Sequence, residues 1–490
     1  MRKITILFML FVSMLSLRAE IKTGSCGTNV TYTFDTETGV LKISGNGKMN
    51  DYERKGYNYI TTAPWGGYVS ELTSAVIENG VTNIGSFAFY YCSSLTSITI
   101  PESVTSIGSF AFYECLSLAS VTIPESVTSI GESAFYKCTS LASVTIPNSV
   151  TSIEKNVFYN CDLLTMVNIP NSVTSIGETA FFSCDHLVSV KIPDSVISIG
   201  HSAFACCHSL STINIPNSVV EIGRNILMEC ESLTSPVYND KLFVKLPINY
   251  RGSFSIPEGI ETICSDAFSG GPMSSGCEYL TSVSIPKTVK IIGDGAFRGC
   301  RLLSSVDIPN SVVELKFAAF RDCTYLSNVT LSSSLNTIED YVFYGCKDLS
   351  SVTIPNGVTS IGGYAFYGCE YLNKVVIGSS VCSIKDNAFW KCLRLSDVTD
   401  LSKVPQPISS LVFHTYGTLH VLQGCKEEYE NHPVWSMFNI IDDIDETEAG
   451  IDRNIYTGSK GNRLYNLMGQ EKNRIEKGIN IINGKKVLFK

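Results

Sequence analysis

The sequence predicts a β-rich solenoid, parallel β-coils stacked along one axis with a β cap at each end, and three observations predict it. A cysteine returns every 23 residues from Cys92 through Cys115, Cys138, Cys161, Cys184 and Cys207 to Cys230, then from Cys277 through Cys300, Cys323, Cys346 and Cys369 to Cys392. A proline keeps the same period at Pro101, Pro124, Pro147, Pro170, Pro193 and Pro216. Between these markers short alternations of apolar and polar residues recur at constant phase. A short fixed period means that no unit can bury its apolar face alone, so neighbours stack into one continuous core.

The first element is a leader. Met1-Arg2-Lys3 precedes an apolar run from Ile4 to Leu17, with Ala19 before the cleavage point, so residues 1–19 read as a secretory signal peptide. The run is short for a spanning helix and no second one follows, so the mature chain is expected to lack a transmembrane segment. It is expected to be exported, either secreted or held at the cell surface on the outer membrane.

Residues 20–70 read as an N-terminal β cap. Thr31 to Phe34 and Val40 to Ile43 alternate around the turn Asp35-Thr-Glu-Thr-Gly39, which predicts a hairpin laid over the first coil.

Residues 71–400 hold the repeats. In the unit that begins at Leu95, Ile98 and Ile100 alternate with polar residues as a strand with one buried face, and Pro101 ends it. Val104-Thr-Ser-Ile107 is a second short strand, Gly108 gives a turn without a Cβ clash, and Ala111, Phe112 and Cys115 point inward. Glu78, Ser332 and Gly378 stand in the proline position of three units. Thirteen coils spaced by about 4.8 Å make a rod or arc about 60 Å long.

The period breaks once, between Cys230 and Cys277. The extra residues divide into insertions at 236–253 and 271–276. Val237 to Val244 reads as a strand pair about Asn239-Asp240 that projects from the solenoid, either a recognition element or a tolerated loop.

Residues 401–441 read as a C-terminal cap, in which Tyr429, Trp435 and Phe438 cover the last coil. Residues 442–455 form an acidic linker, and 456–490 a small basic β-module with Asn483-Gly484 at a two-residue hairpin turn.

Composition narrows the function. Of 490 residues, 44% are hydrophobic and 17% charged, and the net charge of −9 argues against a nucleic-acid partner. Eighteen cysteines in an exported chain would ordinarily read as a disulfide framework. Here thirteen of them, an odd number, share one phase, and stacked parallel Cβ vectors suit disulfide geometry poorly, so they read as small buried fillers. Cys26, Cys206, Cys264, Cys382 and Cys425 stand off the ladder.

No nucleophile elbow, phosphate loop or zinc-binding helix motif occurs, and no catalytic residue, metal site or cofactor is assigned. His186, His201 and His208 lie on neighbouring coils but at different phases.

One row of residues stands out as a candidate binding surface. Two places before the ladder cysteine stand Tyr90, Tyr113, Tyr136, Tyr159 and Phe182, and later Tyr344, Tyr367 and Trp390. Ala205, Met228, Arg298 and Arg321 interrupt the row and divide it in two, with the insertion and its Tyr238 between. At coil spacing the rings form an aromatic ribbon, either packing that shields a turn or a recognition strip.

The skeleton Leu118-Ala-Ser-Val121-Thr-Ile123-Pro124-Glu-Ser-Val127-Thr-Ser-Ile130-Gly131-Glu-Ser-Ala134-Phe135-Tyr-Lys-Cys138 resembles the BspA-like leucine-rich repeats of Bacteroidetes-type surface proteins. Gly24-Ser-Cys-Gly27, Leu41 to Gly47 and Ala63-Pro-Trp65 resemble the N-terminal cap of that family, and Tyr429 to Phe438 its usual end. The last 30 residues are similar to the short C-terminal modules of secreted Bacteroidetes proteins, some of which act as sorting signals for outer-membrane export. The resemblance implies a leucine-rich repeat array that adheres to host extracellular-matrix or bacterial surface proteins or glycans, and it implies no catalytic residues. The alternative is a structural spacer with no ligand of its own.

Overall fold

The computed structural model describes residues 20–56, 60–271 and 276–445, together with the backbone of four short strands between Leu464 and Phe489. The leader, most of the acidic linker, the Asn483-Gly484 turn and most of the 271–276 insertion lie outside the described residues.

The described residues wind into a parallel β-solenoid of about 16 turns with almost no helix among them. Each turn contributes two short strands. In the first column Ser143, Val144 and Thr145 face Met166, Val167 and Asn168 of the next coil. In the second, Ser152 and Ile153 face Ser175 and Ile176. Both registers are offset by 23 residues, so every side chain sits on its counterpart and the apolar phase stays inward throughout.

The third side of each coil has no strands, yet it is laddered by hydrogen bonds. Phe87, Phe89 and Tyr91 N–H donate to the carbonyls of Ser109, Ala111 and Tyr113 one coil on, at 3.0, 2.8 and 2.8 Å. To aim these amides, two residues per turn adopt a left-handed backbone, Phe87 at φ 56° and Tyr91 at φ 61° in one coil, Phe110 at 57° and Glu114 at 55° in the next. A left-handed non-glycine residue costs on the order of 1 kcal/mol, and the inter-coil ladder offsets it. Gly108 is needed for space: a Cβ there would meet Ser86 N of the preceding coil at 2.4 Å.

Inside, phenylalanines stack on phenylalanines. Phe89, Phe112, Phe135, Phe158, Phe181 and Phe204 form one buried column with centroids 5.1 to 5.6 Å apart. A second column runs from Phe243 through Phe268, Phe297, Phe320, Phe343, Phe366 and Phe389 to Phe413. Each buried ring is worth about 1.5–3 kcal/mol by area, plus about 1 kcal/mol for pairing.

The ladder cysteines lie beside these columns, buried and unbridged. Most close a polar gap as well as filling space: the Cys115 thiol donates to Phe89 O at 3.2 Å, Cys161 to Phe135 O at 3.2 Å and Cys369 to Phe343 O at 3.3 Å.

The insertion at 236–253 differs from the sequence expectation. The strand pair exists, with Val237–Tyr238 antiparallel to Leu242–Lys245, but it does not project. Leu242 and Phe243 pair in parallel with Thr262 and Ile263, Leu246 N–H donates to Ala267 O at 2.8 Å, and Phe243, Val244 and Leu246 are buried. Gly252–Ser255 then pairs in parallel with the strand Leu280–Ser284. The segment is therefore a complete but shortened coil, with Pro247 in the ladder-cysteine place only 17 residues after Cys230. With the turn that holds Trp65 and the turn that ends at Phe413, it raises the thirteen cysteine-marked coils to about 16.

Both caps continue the sheet. The N-terminal strands β1 (Ile21–Gly27), β2 (Val30–Asp35) and β3 (Val40–Gly45) form an antiparallel meander, and β3 pairs in parallel with β4 (Ser74–Ile77) of the first coil. Trp65 closes the phenylalanine column: its ring packs 5.9 Å from Phe89, and its indole N–H donates to Ala88 O at 2.7 Å. At the far end Trp435 and Phe438 cover Phe413. The strand Asn439–Ile444 completes the sheet there, running three residues past the expected cap boundary at 441. Under it lies a buried polar cluster in which Asp400 Oδ1 accepts from Ser402 N–H and Gln406 Nε2, and the Tyr429 hydroxyl donates to Ser402 O at 3.0 Å. Near the C-terminus the four described strands pair antiparallel, with Ile482 and Lys485 as register partners.

Candidate binding surface

The candidate residues lie on the turn side of each coil, between the inward phenylalanine and the cysteine. Their phase turns the ring back along the solenoid axis, onto the ring of the next coil. Tyr90 and Tyr113 stand 5.0 Å apart, Tyr113 and Tyr136 4.4 Å at 2° between planes, Tyr136 and Tyr159 4.5 Å, and Tyr159 and Phe182 4.9 Å. The second patch holds Tyr344 and Tyr367 at 5.0 Å and 2°. Trp390 meets His414 edge-on at 4.9 Å.

Stacking settles what each ring presents. Within the row the faces cover one another, Tyr90 is buried, and Tyr113, Tyr136, Tyr159, Tyr344, Tyr367 and Trp390 are half-buried. What remains outside is a line of edges and hydroxyls. Burial, reinforced by the neighbouring Tyr136 and Glu114, holds the Tyr113 phenol well above its ordinary pKa, so it stays a neutral hydrogen-bonding group.

Cations border the row. The Lys137 ammonium lies 5.8 Å over Tyr136 and Lys391 5.3 Å over Tyr367. Arg321, which interrupts the row in the sequence, places its guanidinium 4.7 Å over Tyr344 and so ends the stack as a lid rather than leaving a gap. Tyr238 joins neither patch: it is 46% exposed at the start of the short coil and packs on Phe243 at 6.2 Å.

A second row accompanies the first, three residues earlier. Phe87 stacks on Phe110 at 4.7 Å and Tyr341 on Tyr364 at 4.9 Å. These rings occupy a left-handed backbone position, where bulky residues give no local signal in the sequence, although their 23-residue phase was there to be read. Sequence reasoning also missed Lys245, a fully buried lysine in the short coil whose ammonium donates to the carbonyls of Asp266, at 3.1 Å, and Ser269. Burial pulls its pKa down, and Cys277 and Asp266 oppose that shift. It ties the short coil to the next.

The three neighbouring histidines each bond a different group. His186 meets Asp162 O at 2.9 Å, His208 meets Asp185 Oδ1 at 3.1 Å, and His201 accepts from Arg224 N–H at 2.9 Å. Among the described residues no three metal-ligating side chains converge, and no helix is long and apolar enough to cross a membrane.

Comparison with known proteins agrees with this geometry. The family model for the BspA type leucine rich repeat region matches in overlapping stretches over residues 68–169, 151–270, 240–347 and 273–396. A leucine-rich repeat protein from Bacteroides ovatus is 27% identical, with a TM-score of 0.54 over 81% of this chain and 99% of that one. A leucine rich cell surface protein from Faecalibacterium prausnitzii is 30% identical, with a TM-score of 0.47 over 77% of this chain and 94% of that one. No curated protein matches the chain. A repeat model that covers the coils from first to last, on a solenoid with the same fold as the Bacteroides protein, places the chain in the BspA-type leucine-rich repeat family.

Proposed function

We propose that the chain is an exported recognition protein of the cell surface that adheres to host extracellular-matrix or microbial surface macromolecules through its repeat face. The observation that carries this reading is the ribbon from Tyr90 to Phe182, whose rings are already fixed by stacking at 4.4–5.0 Å. Docking on such a surface orders few side chains, which removes a cost of about 0.5–1.5 kcal/mol for each one otherwise immobilised. Membership in a leucine-rich repeat surface-protein family supports a binding role. The regular coil spacing allows one partner to be held at several points. Export rests on the leader-like residues 1–19.

The same stacking also suits a spacer, because shielding a turn needs no ligand. Residues 20–445 applied to immobilised matrix proteins and glycans separate the two readings, with a Tyr113→Ala/Tyr136→Ala variant of unchanged circular dichroism as the partner experiment. Saturable binding that weakens in the variant supports recognition. Absence of binding on every surface supports the spacer.

A further inference from the structure

One surface row has a period of its own. The residues two places after the ladder cysteines are held in register by the backbone: Leu302 N–H donates to Glu278 O, Tyr325 to Arg301 O, Asp348 to Thr324 O and Tyr371 to Lys347 O, at 2.9–3.3 Å. In the first coils this row carries Ser94, Ser117 and Ser140. After the short coil it carries tyrosine on alternate turns, Tyr279, Tyr325 and Tyr371, 46 residues apart, with Leu302 and Asp348 between.

These tyrosines differ from those of the ribbon. They are 41%, 55% and 45% exposed, and none stacks on another ring among the described residues. Two coils of about 4.8 Å each set them about 10 Å apart, too far for mutual contact. Two carry a guanidinium over the ring, Tyr279 that of Arg251 at 3.8 Å from its centroid and Tyr371 that of Arg394 at 4.0 Å. A single exposed tyrosine needs no explanation, but three at one phase, evenly spaced and two of them held by cations, form a row of ring platforms.

We propose that Tyr279, Tyr325 and Tyr371 form a linear site for an extended β-linked glycan. A pyranose offers a face of C–H groups, weakly positive, to the negative face of an aromatic ring. In an extended 1,4-β-linked chain of glucose or N-acetylglucosamine successive sugars are flipped, so the same face returns once per disaccharide, a repeat that matches two coils. An extended peptide returns the same side chain direction every two residues, about 7 Å, and falls out of step with platforms about 10 Å apart. Asp348 and the arginines supply acceptors and donors for hydroxyls beside the rings. The proposal rests on the recognition reading but names a different set of residues.

The test is calorimetric titration of residues 20–445 with hexamers of β-linked glucose, xylose and N-acetylglucosamine, with the β-linked glucose dimer and an α-linked glucose hexamer alongside. At least one β-linked hexamer is expected to bind, the dimer more weakly because it spans one platform, and the α-linked hexamer not measurably. Tyr325→Ala, at the centre of the row, is expected to lower hexamer affinity about ten-fold with unchanged circular dichroism. Val220→Ala, an exposed position in neither row, is expected to leave it unchanged. Failure of every β-linked hexamer, or an unaltered affinity in Tyr325→Ala, overturns the glycan site. If a matrix protein still binds in that event, the recognition reading stands alone; if nothing binds, both fall.

Discussion

Asp400→Asn is the most exacting test of the C-terminal cap. Asp400 is fully buried, and burial lifts its carboxyl from an ordinary 3.8 to about 6, although bonds from Ser402 and Gln406 pull the other way. Among the described residues its Oδ2 has no hydrogen-bond partner, and neither has Gln406 Oε1. The folded chain thus holds a proton that the unfolded chain has already released. Stability from this group is therefore gained as pH falls through about 6, is complete below 3.8, and is absent above about 6. The gap corresponds to about 3 kcal/mol.

Asparagine keeps the Oδ1 acceptor for Ser402 and Gln406 and replaces the unpartnered, charged Oδ2 with a neutral amide. The variant is expected to be more stable than the wild type by about 3 kcal/mol at neutral pH, with the difference shrinking toward zero in acid. Guanidinium unfolding followed by tryptophan fluorescence from about pH 4 to about pH 8 reads this directly, since Trp435 sits over the same cap. Parallel pH profiles for the two proteins, or a variant less stable at neutral pH, would refute the reasoning.

Two further predictions concern the cysteines. Cys161→Ala removes a buried atom and the donor to Phe135 O, so a loss of about 2 kcal/mol in chemical denaturation is expected, and a neutral result would show that the thiol neither fills nor bonds. Iodoacetamide is expected to label the native chain at exposed Cys382 and slowly at Cys425, and to reach the other sixteen cysteines only after unfolding, because burial raises their pKa and closes access. Mass spectrometry that finds labelled or bridged ladder cysteines in the native chain would contradict it.

The solenoid is legible in the sequence because a 23-residue period leaves marks at Cys, Pro and Phe positions, and the same phase puts the ribbon tyrosines one above another. Three coils are hidden because they lack the mark: Trp65 and Phe413 stand in capping turns, and Pro247 replaces the cysteine in a turn cut to 17 residues. Counting by cysteines turns that coil into a projecting insertion; counting by inter-coil hydrogen bonds restores it. The left-handed positions are illegible for another reason. Phe, Tyr, Glu, Ser, Lys and Asn all occupy them, so the conformation is imposed by the ladder between coils and not by local preference.

Spacing, more than residue type, decides what a tyrosine does on this scaffold. At one residue per coil the rings of the ribbon approach to 4.4–5.0 Å and spend their faces on each other, which stabilises the turn and leaves edges for a partner. At one residue per two coils the same side chain cannot reach its neighbour in the row, and Tyr279, Tyr325 and Tyr371 stay 41–55% exposed, two of them with a guanidinium over the ring. The first arrangement carries a folding advantage of its own and would persist without any ligand. The second lacks ring-on-ring stacking and draws on cation–π contact at Tyr279 and Tyr371 instead, worth about 0.5–1 kcal/mol each. In the proposed recognition the two rows therefore offer a partner different things, the ribbon its fixed ring edges and the alternate-turn row its separated rings.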